Sequence, residues 1–158
     1  RQMCIRDRYD RVRLCGGSWM AKSELIEGEQ WDKITALCRQ AVGTMLNFTL
    51  QHVGLPCGSA DAAASTARAI CRLFGLEYRQ GNTSDFAVPF VECCKAELPG
   101  THGHIAIGTP DVERAEFHLG LQGTEFLEHT RKVDDKGRTK AIYLNQTFAG
   151  FAVHLMRK

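Results

Sequence analysis

Gly16-Gly17-Ser18 sets two residues without side chains beside a hydroxyl, just ahead of a helix-forming stretch. Backbone N–H groups in such a turn can approach an anion closely, and the serine adds a hydroxyl to the same place. A plain Gly-Gly turn produces the same pattern, so the signal is weak by itself. Thiols are the second candidate chemistry. The seven cysteines are Cys4, Cys15, Cys38, Cys57, Cys71, Cys93 and Cys94, an odd number with no CxxC pair. That excludes a secreted disulfide framework and favours small buried hydrophobes in a reducing compartment. Cys93 and Cys94 are adjacent, but no nearby CxxC or basic activation is visible, so packing is the reading there too. Histidine is the third. His52, His104 and His154 each fall in a strand-like run, whereas His118 falls on a helix and His129 reads as a surface residue. His102 shares strand parity with His104 and reads as a rim residue or a spare ligand.

The elements that must hold these groups belong to an ordinary globular chain. Of 158 residues, 44% are hydrophobic and 24% charged, with a formal net charge of +2. This composition excludes a disordered or low-complexity chain, and no apolar run approaches the ~20 residues of a membrane span. Without a dense basic stripe, neither nucleic acid nor membrane is an expected partner. Residues 1–13 carry arginines and no apolar core, so no signal peptide is visible and the expected location is cytoplasmic. Residues 1–8 show neither helix nor strand period and resemble a translated sequencing-library transposon end; they are set aside as a non-native artefact. Over 9–45 a short strand at Val12–Cys15 is followed by the Gly-Gly turn and a helix over Lys22–Ile26, closed by Gly28. A second helix spans Gln30–Val42, with Trp31, Ile34, Leu37, Cys38 and Ala41 at i, i+3, i+4 spacing.

From Leu46 onward the chain repeats a plan. A strand at Phe48–Leu55 is followed by a helix at Ser59–Phe74, with Ser59 as N-cap and Gly75 as its stop, then strands at Glu77–Arg79, Ser84–Val88 and Phe90–Lys95. The second unit has a strand at His104–Ile107 and a helix at Val112–Leu121, opened by Thr109-Pro110-Asp111 with Pro at the first helical position. Strands at Glu125–Lys132, Thr139–Leu144 and Gly150–Met156 follow, and the Asn145–Gly150 loop is placed near the mouth of a cup. Each unit is β-α-β-β-β, so the fold class is α+β, with modules over 46–100 and 101–158 in one domain at 46–158.

Two resemblances attach to these motifs. Leu14-Cys15-Gly16-Gly17-Ser18-Trp19-Met20, with Gly28–Val42, resembles the C-terminus of 2-dehydro-3-deoxyphosphogluconate (KDPG)/4-hydroxy-2-oxoglutarate aldolases, which are (β/α)₈ barrels. The resemblance implies that 9–45 is a barrel remnant, that Gly16, Gly17 and Ser18 hold a substrate phosphate, and that the parent is a class I lyase of the Entner-Doudoroff type, giving pyruvate plus an aldehyde. The Schiff-base lysine and the acid/base glutamate lie upstream; Lys22 and Lys33 fall outside the matching motif, so this chain carries no aldolase catalytic residue. Residues 47–158, through His52-Val-Gly-Leu, His104-Ile-Ala-Ile and Gly150-Phe-Ala-Val-His154-Leu, resemble the vicinal oxygen chelate (VOC) superfamily of glyoxalases, extradiol dioxygenases and bleomycin-resistance proteins. More narrowly they resemble a VOC domain fused behind bacterial aldolases, so the chain reads as a C-terminal fragment of such a fusion.

In metal-binding members of that superfamily the ligands come from the first and last strands of each module. The resemblance therefore implies metal ligands at His52, Glu92, His104 and His154. Three imidazoles and one carboxylate suit a borderline divalent ion such as Zn, Ni, Co, Mn or Fe. The implied ligand is a small sugar acid, 2-keto acid or 2-hydroxy acid. Many superfamily members bind no metal, and half-buried histidines hydrogen-bonded to neighbours remain the alternative. A stand-alone glyoxalase-like enzyme and a non-catalytic binding or assembly module are the other readings of the domain. Whether modules pair within one chain or exchange in a homo-oligomer stays open.

Overall fold

The computed structural model describes residues 16–158, so the stretch 1–8 and the strand expected at Val12–Cys15 lie outside the described residues. The chain divides into two compact units between Phe48 and Thr49. The described part of the first holds a 3₁₀ turn at Ser18–Met20 and helices α1 (Ser23–Glu27) and α2 (Trp31–Leu46). Helix α2 runs four residues beyond the expected Val42, because Gly43-Thr44-Met45-Leu46 is tolerated as one more turn. Asn47 ends it in the left-handed conformation, its N–H donating to the Gly43 carbonyl at 3.0 Å. Gly17 is extended and precedes the 3₁₀ turn without a side-chain cap.

The second unit contains the repeat. Strand β1 (Thr49–Pro56) leads to helix α3 (Ala60–Phe74) and strands β2 (Glu77–Gln80), β3 (Ser84–Val88) and β4 (Val91–Cys94). Strand β5 (His104–Thr109) leads to helix α4 (Val112–Gly120) and strands β6 (Lys132–Val133), β7 (Thr139–Phe148) and β8 (Phe151–Arg157). All eight strands form one mixed sheet in the order β2-β3-β4-β1-β5-β8-β7-β6. The order is symmetric about the β1–β5 junction: each module puts its first strand at the centre, parallel to its own last strand. This is the paired βαβββ cup expected from the repeat.

Both helices start where the sequence places a cap. Ser59 Oγ accepts from the Ala62 N–H at 3.2 Å, and the Asp111 carboxylate accepts from the Arg114 N–H at 3.0 Å. The cap is Asp111, so Pro110 precedes the helix and does not occupy its first turn. Helix α3 packs small residues onto the sheet: Ala63, Ala67 and Cys93 are fully buried, with Leu55, Cys57, Tyr78 and Val91 against them. Close helix–sheet approach is what alanine allows, and a larger side chain there would cost about 1–3 kcal/mol in overpacking.

Two expectations need correction. Glu125–Lys132 is not one strand. Only a Phe126–Leu144 bridge and β6 pair with β7, and a 3₁₀ turn at Glu128–Thr130 lies between them. The turn is held by Thr130 Oγ1, which donates to the Leu127 carbonyl at 2.6 Å, and by Arg131, whose guanidinium bonds Glu128 and reaches Glu116 at 2.7–2.9 Å. These local partners outcompete strand pairing. Nor is Asn145–Gly150 a loop: β7 continues to Phe148, and the hairpin closes through Ala149-Gly150 alone.

A second ionic cluster fastens α4 to the last strands. Arg157 bonds the Glu113 carboxylate and the Pro110 and Thr139 carbonyls, while the Thr139 N–H donates to Glu113 at 2.5 Å. Burial pushes the Glu113 carboxyl up, but the Thr139 N–H and Arg157 outweigh it and hold it below its ordinary value of 4.5. A carboxyl depressed in the folded state contributes stability above its unfolded value and loses it as pH falls through the folded one. The difference in Tm between the protein and Glu113→Gln is therefore expected to be full at pH 7 and to shrink below the ordinary carboxylate value. A difference unchanged down to pH 3 would contradict the assignment.

Candidate metal centre

Directly paired residues on neighbouring strands point to the same face of a sheet. Register alone therefore assembles the centre. Ala106 faces His52 on one side and His154 on the other; Gly54 faces both Glu92 and His104; and Tyr143 faces His154. His52, Glu92, His104 and His154 thus project from four adjacent strands onto the face opposite the helices. Ile105, Ile107, Val53 and Leu55 take the other face, which α3 and α4 cover in part.

The distances are short. His52 Nε2 lies 2.9 Å from Glu92 Oε2, His104 Nε2 lies 3.2 Å from the same oxygen, and the two imidazole nitrogens are 3.2 Å apart. The three atoms make a nearly equilateral triangle. In a proton-only network both rings can donate to Glu92, but their two N–H groups then face each other unfavourably. Ligand–ligand edges near 3 Å are what bonds of about 2.1 Å impose around a divalent ion. The donor set therefore fits an ion better than it fits protons. One nitrogen of His154 joins within 4.8 Å of the corresponding atoms of His52 and His104.

Each ring has a reason for its orientation. His154 Nδ1 lies 3.3 Å from the Leu155 carbonyl, which assigns the proton to Nδ1 and leaves Nε2 with a lone pair. Burial and the neighbouring His104 push its pKa down to about 4, so this imidazole is neutral. His104, 2% exposed, lies flat over Gly54: a Cβ on Gly54 would overlap its Cε1, Nδ1 and Nε2. Gly54, which the sequence offers only as part of a strand, is the cradle for this ring. Its own carbonyl is approached by Gly103, where φ is +102° and a Cβ would overlap that oxygen. Burial raises the Glu92 carboxyl, but its contacts with His104, His52 and Ser84 outweigh this and hold it well below the usual carboxylate range. Nδ1 of His104 is buried without a hydrogen-bond partner. Ring orientation is thus set by the glycine cradle and by Nε2.

Of two further residues of the centre, Tyr143 was not singled out by sequence and Cys94 was read there as buried packing. Tyr143 faces the cup, its ring 4.8 Å from His154 and 6.0 Å from His104. Cys94 shares the face of Glu92, and its thiol groups with Glu92 and His104. Strand parity could have found both, since Tyr143 and Cys94 stand in register with, or two residues from, predicted ligands. Burial pushes the Cys93 thiol up to about 12 and the Cys94 thiol up to about 11. Thiols so raised carry little thiolate, so native protein treated with iodoacetamide is expected to label exposed Cys38 and spare Cys93 and Cys94. Peptide mass spectrometry checks this; Cys94 modified as fast as Cys38 would contradict it.

The other sequence candidates lie elsewhere. His102 sits at the rim, Nδ1 2.9 Å from the Ala149 carbonyl, its ring against Phe151. His118 is on α4 and His129 is exposed in the 3₁₀ turn. Gly16, Gly17 and Ser18 belong to the first unit, and their described contacts include no bonded partner beyond the turn itself. Among the described residues no helix is long and apolar enough to cross a membrane.

No family model matches the chain, and no curated protein matches it. A solved structure of a hypothetical protein, BH1468 from Bacillus halodurans C-125, is 15% identical, with 70% of this chain covering 94% of that one at a TM-score of 0.51. The likeness is one of fold. Methylmalonyl-CoA epimerase structures also align. A Streptomyces coelicolor variant in complex with 2-nitronate-propionyl-CoA is 16% identical, at 69% and 96% coverage with a TM-score of 0.48. One in complex with methylmalonyl-CoA and NH4+ is 17% identical, at 69% and 93% coverage with a TM-score of 0.48. The domain from Thr49 accordingly shares its α+β fold with the first of these.

Proposed function

We propose that residues 49–158 form a metal-dependent domain that binds a small 2-keto or 2-hydroxy acid, as a glyoxalase-like enzyme does. The observation that carries the reading is the triangle of His52 Nε2, His104 Nε2 and Glu92 Oε2, with edges of 2.9 and 3.2 Å. His52, Glu92 and His104 would hold the ion, and His154 would complete the set. A borderline divalent ion supplies a Lewis acid for a chelating pair of oxygens.

The chain's own residues do the rest. Glu92 supplies the charge that draws a cation, and two imidazoles share its oxygen, which fixes both rings. His154 offers a lone pair because its other nitrogen is tied to the backbone. Ala106 and Ala152, small and buried, keep the floor between the rings low enough for a ligand to reach them. Tyr143 walls the module-two side and presents a phenol at the edge of the cup.

The test is metal analysis of purified protein after exposure to Zn, Ni, Co, Mn or Fe and desalting, followed by thermal shifts with pyruvate. One ion per chain and ligand stabilisation that requires it are expected. Metal-free protein after supplementation would overturn the proposal. Stabilisation without turnover of any 2-keto acid would support the non-catalytic module in its place.

The aldolase reading of 9–45 rests on Leu14–Met20 and Gly28–Val42 and makes Gly16, Gly17 and Ser18 a phosphate loop of a parent lyase. A barrel with its lysine encoded immediately upstream would support it, and any other upstream frame would end it.

A further inference from the structure

The face that carries the centre continues across module one to a cation. Arg79 on β2 pairs with Phe86 on β3, and Phe86 pairs with Glu92 on β4, so the three side chains lie in a row on the ligand face. The Arg79 guanidinium is folded over the Phe86 ring, 4.7 Å from its centroid. Phe86 is itself seated against Gly81, where a Cβ would come within 3.0 Å of its ring. The stacked arginine is therefore braced from below. Among the described residues it has no ion-pair partner, although Arg131, Arg138 and Arg157 each have one.

The backbone of Arg79 is two strands from Glu92, roughly 10 Å at ordinary strand spacing. Leaning over Phe86 brings the guanidinium toward Glu92, leaving an apolar ring between cation and centre. A ligand chelated at the centre and running over Phe86 would present its far end to Arg79. Charge points the same way. Glu92 and a divalent ion together leave one positive charge, and Arg79 adds a second, which a dianion would neutralise.

The geometry points to Arg79 as the distal anion subsite of the cup, selecting ligands that carry a second carboxylate or a phosphate a few bonds beyond the chelating 2-keto or 2-hydroxy acid. This rests on the metal-dependent reading above and names its substrate class.

The experiment uses the full chain loaded with the ion it retains and measures Kd by calorimetry for pyruvate, 2-oxoglutarate and 3-phosphoglycerate. Metal content is measured in parallel. The protein is expected to bind either 2-oxoglutarate or 3-phosphoglycerate about 10–100-fold more tightly than pyruvate, the range of a charge-assisted contact. Which of the two is preferred distinguishes carboxylate from phosphate. Arg79→Gln is expected to remove that preference while leaving pyruvate affinity and metal content unchanged, and Arg79→Lys to restore part of it. Equal affinity of the protein and Arg79→Gln for the preferred of these two acids overturns the subsite and leaves the centre standing. Protein that takes up no ion overturns the centre itself, and loaded protein that binds none of the three acids overturns the acid-binding reading together with the subsite.

Discussion

His104→Ala is expected to leave the chain without stoichiometric metal. The ring is 2% exposed, and its Nε2 contacts both Glu92 and His52. Its loss removes one donor outright and frees the other two from their common geometry. Outer-shell partners alone are worth about 10–100-fold in affinity, so loss of an inner donor should exceed that range. Because a buried histidine cut to alanine also leaves a cavity, Glu92→Gln is the companion variant. It keeps the volume and removes the charge, and the same loss of metal is expected with the fold intact. Metal-to-protein ratios after desalting, with circular dichroism on the same samples, decide the matter. Undiminished metal in both variants would mean that the four side chains are a hydrogen-bonded cluster.

Gly54→Ala is the more revealing substitution, because nothing in its own chemistry concerns metal. The added Cβ would overlap the His104 ring, which is enclosed and has little room to yield. Overpacking of this kind costs about 1–3 kcal/mol. The displaced ring should also weaken metal binding, on the scale of about 10–100-fold seen when a ligand's support is lost. A double-mutant cycle separates the two effects. With His104 already alanine, the added methyl meets open space, so most of the stability cost of Gly54→Ala should vanish. Additive costs, or unchanged metal affinity in Gly54→Ala, would show that the cradle does not position the ring.

Much of the fold is legible in the residues. The 52-residue repeat, the caps at Ser59 and Asp111, and the alternation around His104 and His154 follow from short-range rules of helix entry and strand parity. The failures are where partners distant in sequence win. Arg131 turns 125–132 away from extended pairing because Glu116, on another element, offers a bidentate partner. Asn145–Phe148 is strand because β8 returns beside it, although the composition of Asn145–Gly150 reads as loop.

The candidate site divides in the same way. Sequence by itself determined that His52, His104 and His154 occupy matching places in two βαβββ units, with Glu92 on the last strand of the first, since period and parity are properties of the chain. Only the tertiary structure decided that His52, Glu92 and His104 meet within about 3 Å with His154 within 4.8 Å of the two histidines, that a glycine one strand away makes room for one of them, and that Tyr143, Cys94 and Arg79 share their face. The physical reason is register. Which residue stands opposite which is set by how β1 and β5 pair at the centre of the sheet, and a shift of one residue would send every one of these side chains to the opposite face.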